Sequence, residues 1–426
     1  MLIVYISALV LLALFGMPLF AAILAIAMVG FHYAEIDLMV IAIDLYRIIE
    51  TPLLEAIPLF TFAGYLLSAS KSSERLVRVT QALLGWLPGG LAIVALIACA
   101  LFTAFTGASG VTIVALGALL YPALQQAGYT QRFSLGLVTS SGSLGLLFPP
   151  SLPLILFGVI ALQMETPVAM TIEQLLVAGL LPGVLMIAML AMWSIWGQGA
   201  QAPATQPFSV AELRESLRDA KWEIPLPIVL LGGIYSGYFA LSEAAVVTVI
   251  YLLIVEVLVY RDIKLKQLPD LLSDAMVMVG GILIILACSL VLTSYFIEID
   301  APTLLFDWVT THIHSQLTFL LMLNLFLLVL GAFLDIFSAI VIMVPLILPI
   351  ASSFGIHPIH LGIIFLANMQ IGYMTPPVGM NLFIASYRFN KPITEIYRST
   401  LSFMLVLLLS LVLITYWPAL SLVFVD

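Results

Sequence analysis

The chain has 426 residues, of which 63% are hydrophobic and 9% charged, with a mean hydropathy of +1.21 and a net charge of −9. A soluble globular chain is about 45–50% apolar and about 25% charged, so this composition excludes one and points to a polytopic membrane protein. Scattered basic residues argue against nucleic acid binding, and Cys99 and Cys288, both inside apolar segments, imply no disulfide framework.

Met1 to Val29 lacks a basic n-region and a small-residue cleavage site, so it reads as a first span, from about Leu2 to Val29. His32 to Glu50 is interrupted by Glu35, Asp37, Asp44 and Arg47 and reads as an amphipathic helix in the interface. A span follows at Pro52 to Ala69, then a basic amphipathic stretch, Lys71 to Trp86. Residues 87–127 hold two apolar arms around Thr106-Gly107-Ala108-Ser109-Gly110, the pattern of a re-entrant hairpin with its tip inside the protein. A helix over 132–163 is broken at Ser140 to Pro150, and a span covers about Leu175 to Trp196.

The stretch 198–223 is the one soluble-looking linker, and 224–242 reads as a connecting span. The second half, 243–426, opens with a span from Glu243 to Tyr260. An interfacial stretch, Arg261 to Asp274, and a span, Ala275 to Phe296, come next. A second hairpin covers 317–353, with its tip near Gly331 to Ala339. A second broken helix covers 361–387, interrupted at Gln370 to Asn381, and a last span runs from Leu401 to Leu420.

The two interruptions match. Gly145-Leu146-Leu147-Phe148-Pro149-Pro150 is repeated as Gly372-Tyr373-Met374-Thr375-Pro376-Pro377, an offset of 372 − 145 = 227 residues. The same offset pairs Pro122 with Pro349 and Gly128 with Gly355. Proline removes a backbone donor and clashes with the preceding turn, so neither helix runs straight through. At membrane depth, broken backbone survives only where it is buried in protein or lines a wet cavity, as at a transporter site. The fold read here is an all-α integral membrane protein of two inverted repeats, 1–197 and 243–426. Each repeat carries a re-entrant hairpin and a broken transmembrane helix, with about nine full spans in all plus interfacial arm helices. A cytoplasmic N-terminus puts every basic residue but Arg47 on the cytoplasmic face, the five histidines opposite, and the C-terminus outside.

At these residues the chain resembles the large membrane subunit of a TRAP (tripartite ATP-independent periplasmic) transporter. The most specific stretches are FTGASGVTIVALGALLYPAL from Phe105 to Leu124, GGIYSGYFALSEAAVV from Gly232 to Val247, and YMTPPVGMNLF from Tyr373 to Phe383. The family commonly has Thr-Pro-Thr-Glu where this chain has Ala240-Leu241-Ser242-Glu243, so only Glu243 matches. The resemblance implies an ion-transporter fold in a bacterial inner membrane. It implies inward movement of a carboxylate with sodium through an elevator motion. It also implies two partners: a small four-helix membrane subunit and a periplasmic substrate-binding protein.

Sodium, as coupling ion, is a hard cation and takes oxygen ligands. The chain suggests one site per half and no other cofactor. Thr106, Gly107 and Ser109 at the first tip would face Ser140, Ser141, Ser143 and Gly145. Asp335 and Ser338 at the second tip would face Gly372 and Thr375. Each serine alone reads as helix packing rather than ligand, and Asp335 could be a protonated acid or a helix cap; the clustering at paired breaks favours sites, and an ionised Asp335 at membrane depth favours an ion-linked role. No Lys or Arg maps to mid-membrane, so a small organic acid would lean on half-helix N-termini and on Ser140, Asn368, Thr375 and Asn381. Beside a channel, since broken helices also line pores, two other readings keep a place. One is a stand-alone sodium/organic anion symporter. The other is an intramembrane serine protease, since Gly107-Ala108-Ser109-Gly110 fits Gly-x-Ser-Gly, although it lacks a neighbouring base. No phosphate-binding Gly-x-x-x-x-Gly-Lys-[Ser/Thr] is present, which disfavours an ATP-driven pump and an enzyme of that kind.

Overall fold

A computed structural model describes residues 17–47, 55–87, 89–164, 168–196, 208–236, 238–299, 307, 309, 311–376 and 378–425. Among them the chain is helical throughout and has no strand. The N-terminal half holds α1 (Leu19–Tyr33), α2 (Met39–Arg47), α3 (Ala56–Ala69), α4 (Ser72–Leu84), α5 (Gly90–Thr106), α6 (Ser109–Gln126) and α7 (Gln131–Ser141). After a 3₁₀ turn at Leu144–Leu147 come α8 (Leu152–Leu162), α9 (Ile172–Ala178), α10 (Leu180–Trp196), α11 (Val210–Asp219) and α12 (Pro225–Tyr235). The C-terminal half holds α13 (Leu241–Leu252), α14 (Leu268–Glu298), α15 (Gln316–Phe333), α16 (Ile336–Ser353), α17 (Pro358–Gly372), α18 (Met380–Phe389), α19 (Ile393–Tyr416) and α20 (Ala419–Leu422).

The repeat seen in sequence is a repeat of elements. α6 and α16 start 336 − 109 = 227 residues apart and end at the same interval, as do the starts of α7 and α17 and the ends of α8 and α18. Local chemistry repeats with them. Thr130 caps α7 by accepting from the Phe133 amide, and His357 caps α17 by accepting from the Ile359 amide. Pro122 and Pro349 lie inside equivalent helices, each followed by a left-handed glycine, Gly128 (φ 96°) and Gly355 (φ 75°). Pro377, in the second Pro-Pro pair, lies outside the described residues, as does Leu2 to Gly16 of the first expected span.

The broken helices form the core. Every residue of α17 is buried, and 94% of the apolar stretch within Gln131–Leu162 is buried, against 44% for Ile393–Tyr416 and 39% for Ser242–Val259. A helix that is apolar all round and buried all round must be surrounded by other helices; those outer helices keep one face for lipid. Phe157, Phe365 and Phe403 fill this centre.

Three expected boundaries move. Seven helices among the described residues are long and apolar enough to cross, and α12 is not one of them. At 11 residues it is about 16 Å long, half the thickness of a hydrocarbon core, so 224–242 is not one continuous helical span. Of the stretch expected as interface, Arg261 to Asp274, the part from Leu268 on belongs to α14, a single 31-residue helix. The linker contains an amphipathic helix of its own, α11, capped by Ser209.

That linker is clamped to arm helix α4. Arg75 bonds Glu223 at 2.6 Å, Asp262 at 2.7 Å and Glu256 at 3.1 Å, while Arg78 bonds Glu212, Glu215 and Asp219. Burial alone would lower the Arg75 pKa, but its bonds to Glu223 and Asp262 hold it above the ordinary value. Burial pushes Glu223 above the usual carboxylate range, and the bond to Arg75 only partly pulls it back.

Candidate functional site

The first tip is a two-residue turn. α5 stops at Thr106 because Gly107 takes a left-handed conformation (φ 65°) and its amide bonds back to the Thr103 carbonyl at 2.8 Å. Ala108 is extended and α6 begins at Ser109. The hairpin lies directly on the first break. A Cβ on Gly145 would sit 2.2 Å from the Ala100 carbonyl oxygen and 2.4 Å from the Ala104 nitrogen, so only glycine permits this approach. Thr103 Oγ1 donates to the Gly142 carbonyl at 2.8 Å and shares a 2.6 Å bond with Thr112 Oγ1, tying both arms to a carbonyl that the broken helix leaves free. The structure thus brings Ala100, Thr103, Ala104 and Thr112 of the hairpin arms and the Ser109 carbonyl against Gly142 to Gly145, while Thr106 lies against Gly64 and Gly107 against Leu152.

The second tip repeats the geometry with different chemistry. α15 ends at Phe333 and Leu334 is extended. A Cβ on Gly372 would lie 2.6 Å from the Gly331 Cα, so arm and break again meet backbone to backbone. The Gly379 amide donates to the Ala332 carbonyl at 3.0 Å, and the Ile336 amide donates to the Tyr373 hydroxyl at 2.6 Å. Asp335 is the N-cap of α16, accepting from the Ser338 amide at 3.0 Å and from the Ser338 hydroxyl. The equivalent first-half residue, 335 − 227 = 108, is Ala108, which has no capping side chain. Asp335 and Ser338 are therefore each other's partners, and the half-buried carboxylate already serves a helix N-terminus. Thr375 Oγ1 donates to the Ile371 carbonyl of its own helix at 3.0 Å.

The halves then meet each other. Ser143 Oγ donates to the Gln370 carbonyl at 3.3 Å, and 370 − 143 = 227. Contact between repeat-equivalent residues places the pseudo-two-fold axis between the two breaks. Ser109 Oγ donates across the repeats to Asn381 Oδ1 at 2.8 Å. The first tip thus touches both breaks. An amide oxygen is no general base, so Ser109 is not arranged as a protease nucleophile.

Polar atoms left without a hydrogen-bond partner are few in a folded core and costly. Several lie here. Thr106 Oγ1, Ser140 Oγ, Asn368 Oδ1, Gln370 Oε1 and Asn381 Nδ2 are all buried and unpartnered. Four are oxygens able to ligate a hard cation. The fifth is a donor suited to a carboxylate. Ser141 Oγ, by contrast, spends its hydrogen on the Val138 carbonyl at 3.3 Å. Sequence reasoning set Gln370 at the start of the second interruption but gave it no ligand role. Its signal was a second amide, two residues after Asn368 and two before Gly372.

Comparison with known proteins gives this geometry a family. Residues 4–420 match the DctM component of the tripartite ATP-independent periplasmic transporters. The chain belongs to the DctM family. It is 36% identical over 383 residues to the C4-dicarboxylate TRAP transporter large permease protein DctM of Pseudomonas aeruginosa, covering 90% of this chain and 88% of that one. It is 32% identical over 371 residues to the isethionate TRAP transporter permease protein DctMQ of Oleidesulfovibrio alaskensis, covering 87% of this chain and 57% of that one. Its fold is similar to the crystal structure of the YdaH transporter of Alcanivorax borkumensis, with TM-score 0.64, 15% identity, and 89% and 87% of the two chains covered. Like these relatives, this DctM-family chain is a multi-pass membrane permease.

Proposed function

We propose that this chain is the large permease subunit of a TRAP transporter and drives inward movement of a small organic acid anion with sodium. The observation that carries this reading is the meeting of two broken helices at a pseudo-two-fold axis, lined by buried oxygens without partners. Sodium would take the oxygens of Thr106, Ser140 and the free carbonyls of each break. The anion would be met by Asn381 Nδ2 and by the positive ends of α8 and α18, which open inside the fold. No arginine is needed, because bound sodium supplies the balancing charge. Two hairpins packed on two breaks move as a body in an elevator step, carrying the site across the membrane.

The protein would lie in a bacterial inner membrane, N-terminus cytoplasmic and C-terminus periplasmic. It would work with a small membrane subunit and a periplasmic substrate-binding protein. A relative named DctMQ, longer than this chain, is consistent with such a joined membrane partner. C4-dicarboxylates are the first substrates to try, on the name of the Pseudomonas relative.

The test is uptake into proteoliposomes holding this chain, its small subunit and its binding protein. The reading predicts uptake that needs both the binding protein and an inward sodium gradient. Uptake without the binding protein would instead make the chain a stand-alone symporter.

A further inference from the structure

Asn324 stands in the middle of α15, inside the apolar run Leu320 to Leu330, and is buried. Its amide nitrogen donates to Thr415 Oγ1 on α19 at 3.0 Å. Its oxygen accepts from Asn368 Nδ2 on α17 at 2.6 Å. The second hydrogen of Asn368 goes to the Ile364 carbonyl at 2.8 Å. Beyond Thr415 the chain of bonds continues: its carbonyl meets His360 Nε2 at 3.2 Å, and His360 Nδ1 meets Ser421 Oγ at 3.1 Å. Both donors of Asn368 are thereby spent. Its oxygen is left buried, unpartnered, and one turn before the second break.

The first repeat does without this network. Stepping back 227 residues from Asn324, His360 and Asn368 gives Ile97, Phe133 and Ser141. At these positions the first hairpin arm carries an isoleucine, and the first broken helix a phenylalanine and a serine. The fold therefore does not demand amides at these positions, and a buried amide atom is costly unless it is hydrogen-bonded, which the Asn368 oxygen is not.

We propose that Asn324 and Thr415 are positioning residues that lock the Asn368 amide, so that its oxygen serves as a ligand for the coupling cation in the second half. This rests on the sodium coupling proposed above and moves Asn368 from the anion to the cation. A carboxylate needs a donor, and Asn368 has none to give. A cation needs an oxygen held still, which is what Asn324 and Thr415 supply.

The test uses the purified full chain. Thermal unfolding is followed against sodium chloride, with choline chloride holding ionic strength. Sodium uptake-coupling curves are measured beside it in proteoliposomes with the two partners. Thr415→Val keeps the shape and removes the hydroxyl; Asn324→Ile installs the residue found at Ile97; Thr415→Ser restores the hydroxyl. The expected result is a sodium-dependent stabilisation in the wild type whose half-saturating concentration rises about tenfold in Thr415→Val and Asn324→Ile. Thr415→Ser should stay within about twofold of wild type, and substrate KM at saturating sodium should stay unchanged in all. A wild type that responds to sodium, with variants whose half-saturation matches it, overturns the positioning role alone. A wild type with no sodium response overturns both this role and the sodium coupling beneath it.

Discussion

Gly145→Ala probes how closely the first hairpin rests on the first break. The added Cβ would sit 2.2 Å from the Ala100 oxygen and 2.4 Å from the Ala104 nitrogen. Both are backbone atoms, so no side chain can swing aside. Non-bonded atoms of this size settle at about 3.5 Å or more, so α5 must move by more than about 1 Å. Such overpacking costs about 1–3 kcal/mol. Gly280→Ala is the control, because nothing lies within 4 Å of its added Cβ and it gains up to about 1 kcal/mol of helix propensity. Alanine recovers similar backbone entropy at either position, so the two variants should differ by about the overpacking cost. Thermal unfolding in one detergent, read beside initial uptake rates, checks it. Gly145→Ala should melt lower and transport slower than Gly280→Ala, which should melt at or slightly above wild type. Equal melting temperatures for the two variants would refute the backbone-to-backbone contact.

Other perturbations follow from named contacts. Ser109→Ala leaves the Asn381 oxygen buried without its donor, at a cost of about 1–3 kcal/mol, and should slow uptake; a peptidase assay before and after should show no activity to lose. Arg75→Gln leaves Glu223 and Glu256 buried without their shared cation and should destabilise by about 3–5 kcal/mol in denaturant unfolding. Arg75→Lys should rescue only partly, since one ammonium cannot reach three carboxylates from separate nitrogens. Glu223 has a raised folded pKa, so its stabilising contribution is fullest in acid, below the unfolded value, and is lost as pH rises through the raised one. Glu223→Gln, always neutral, should therefore raise the melting temperature relative to wild type at about pH 8 and change it little near pH 4. A uniform shift at both pH values would count against the buried charge.

The tips and breaks were legible because glycine, proline and small polar residues interrupt long apolar runs, and interruptions at membrane depth have few explanations. The repeat was legible because Pro122, Gly128 and Gly145 recur at a fixed offset as Pro349, Gly355 and Gly372. Composition could not separate α12 from a true span, since eleven apolar residues look locally like twenty. It also could not show that α14 carries its charged start straight into the membrane, because Pro269 at the first turn is compatible with a helix start. The site's wiring was hidden for another reason. Ser109 and Asn381 are 272 residues apart, and no local pattern encodes such a partnership. Asp335 stood out as an isolated charge, yet its nearest partner was three residues away in Ser338. Asn324 drew no reading from the sequence, as one amide in a leucine-rich helix, yet its side chain links α15 to α17 and α19.

Sodium flux measured with substrate flux tests the central claim most directly. Radioactive sodium and radioactive substrate are followed together in proteoliposomes containing the chain, its small subunit and its binding protein. The account predicts sodium entry that starts only when substrate is added and that stays in fixed proportion to substrate entry. Substrate entering with no accompanying sodium would contradict it.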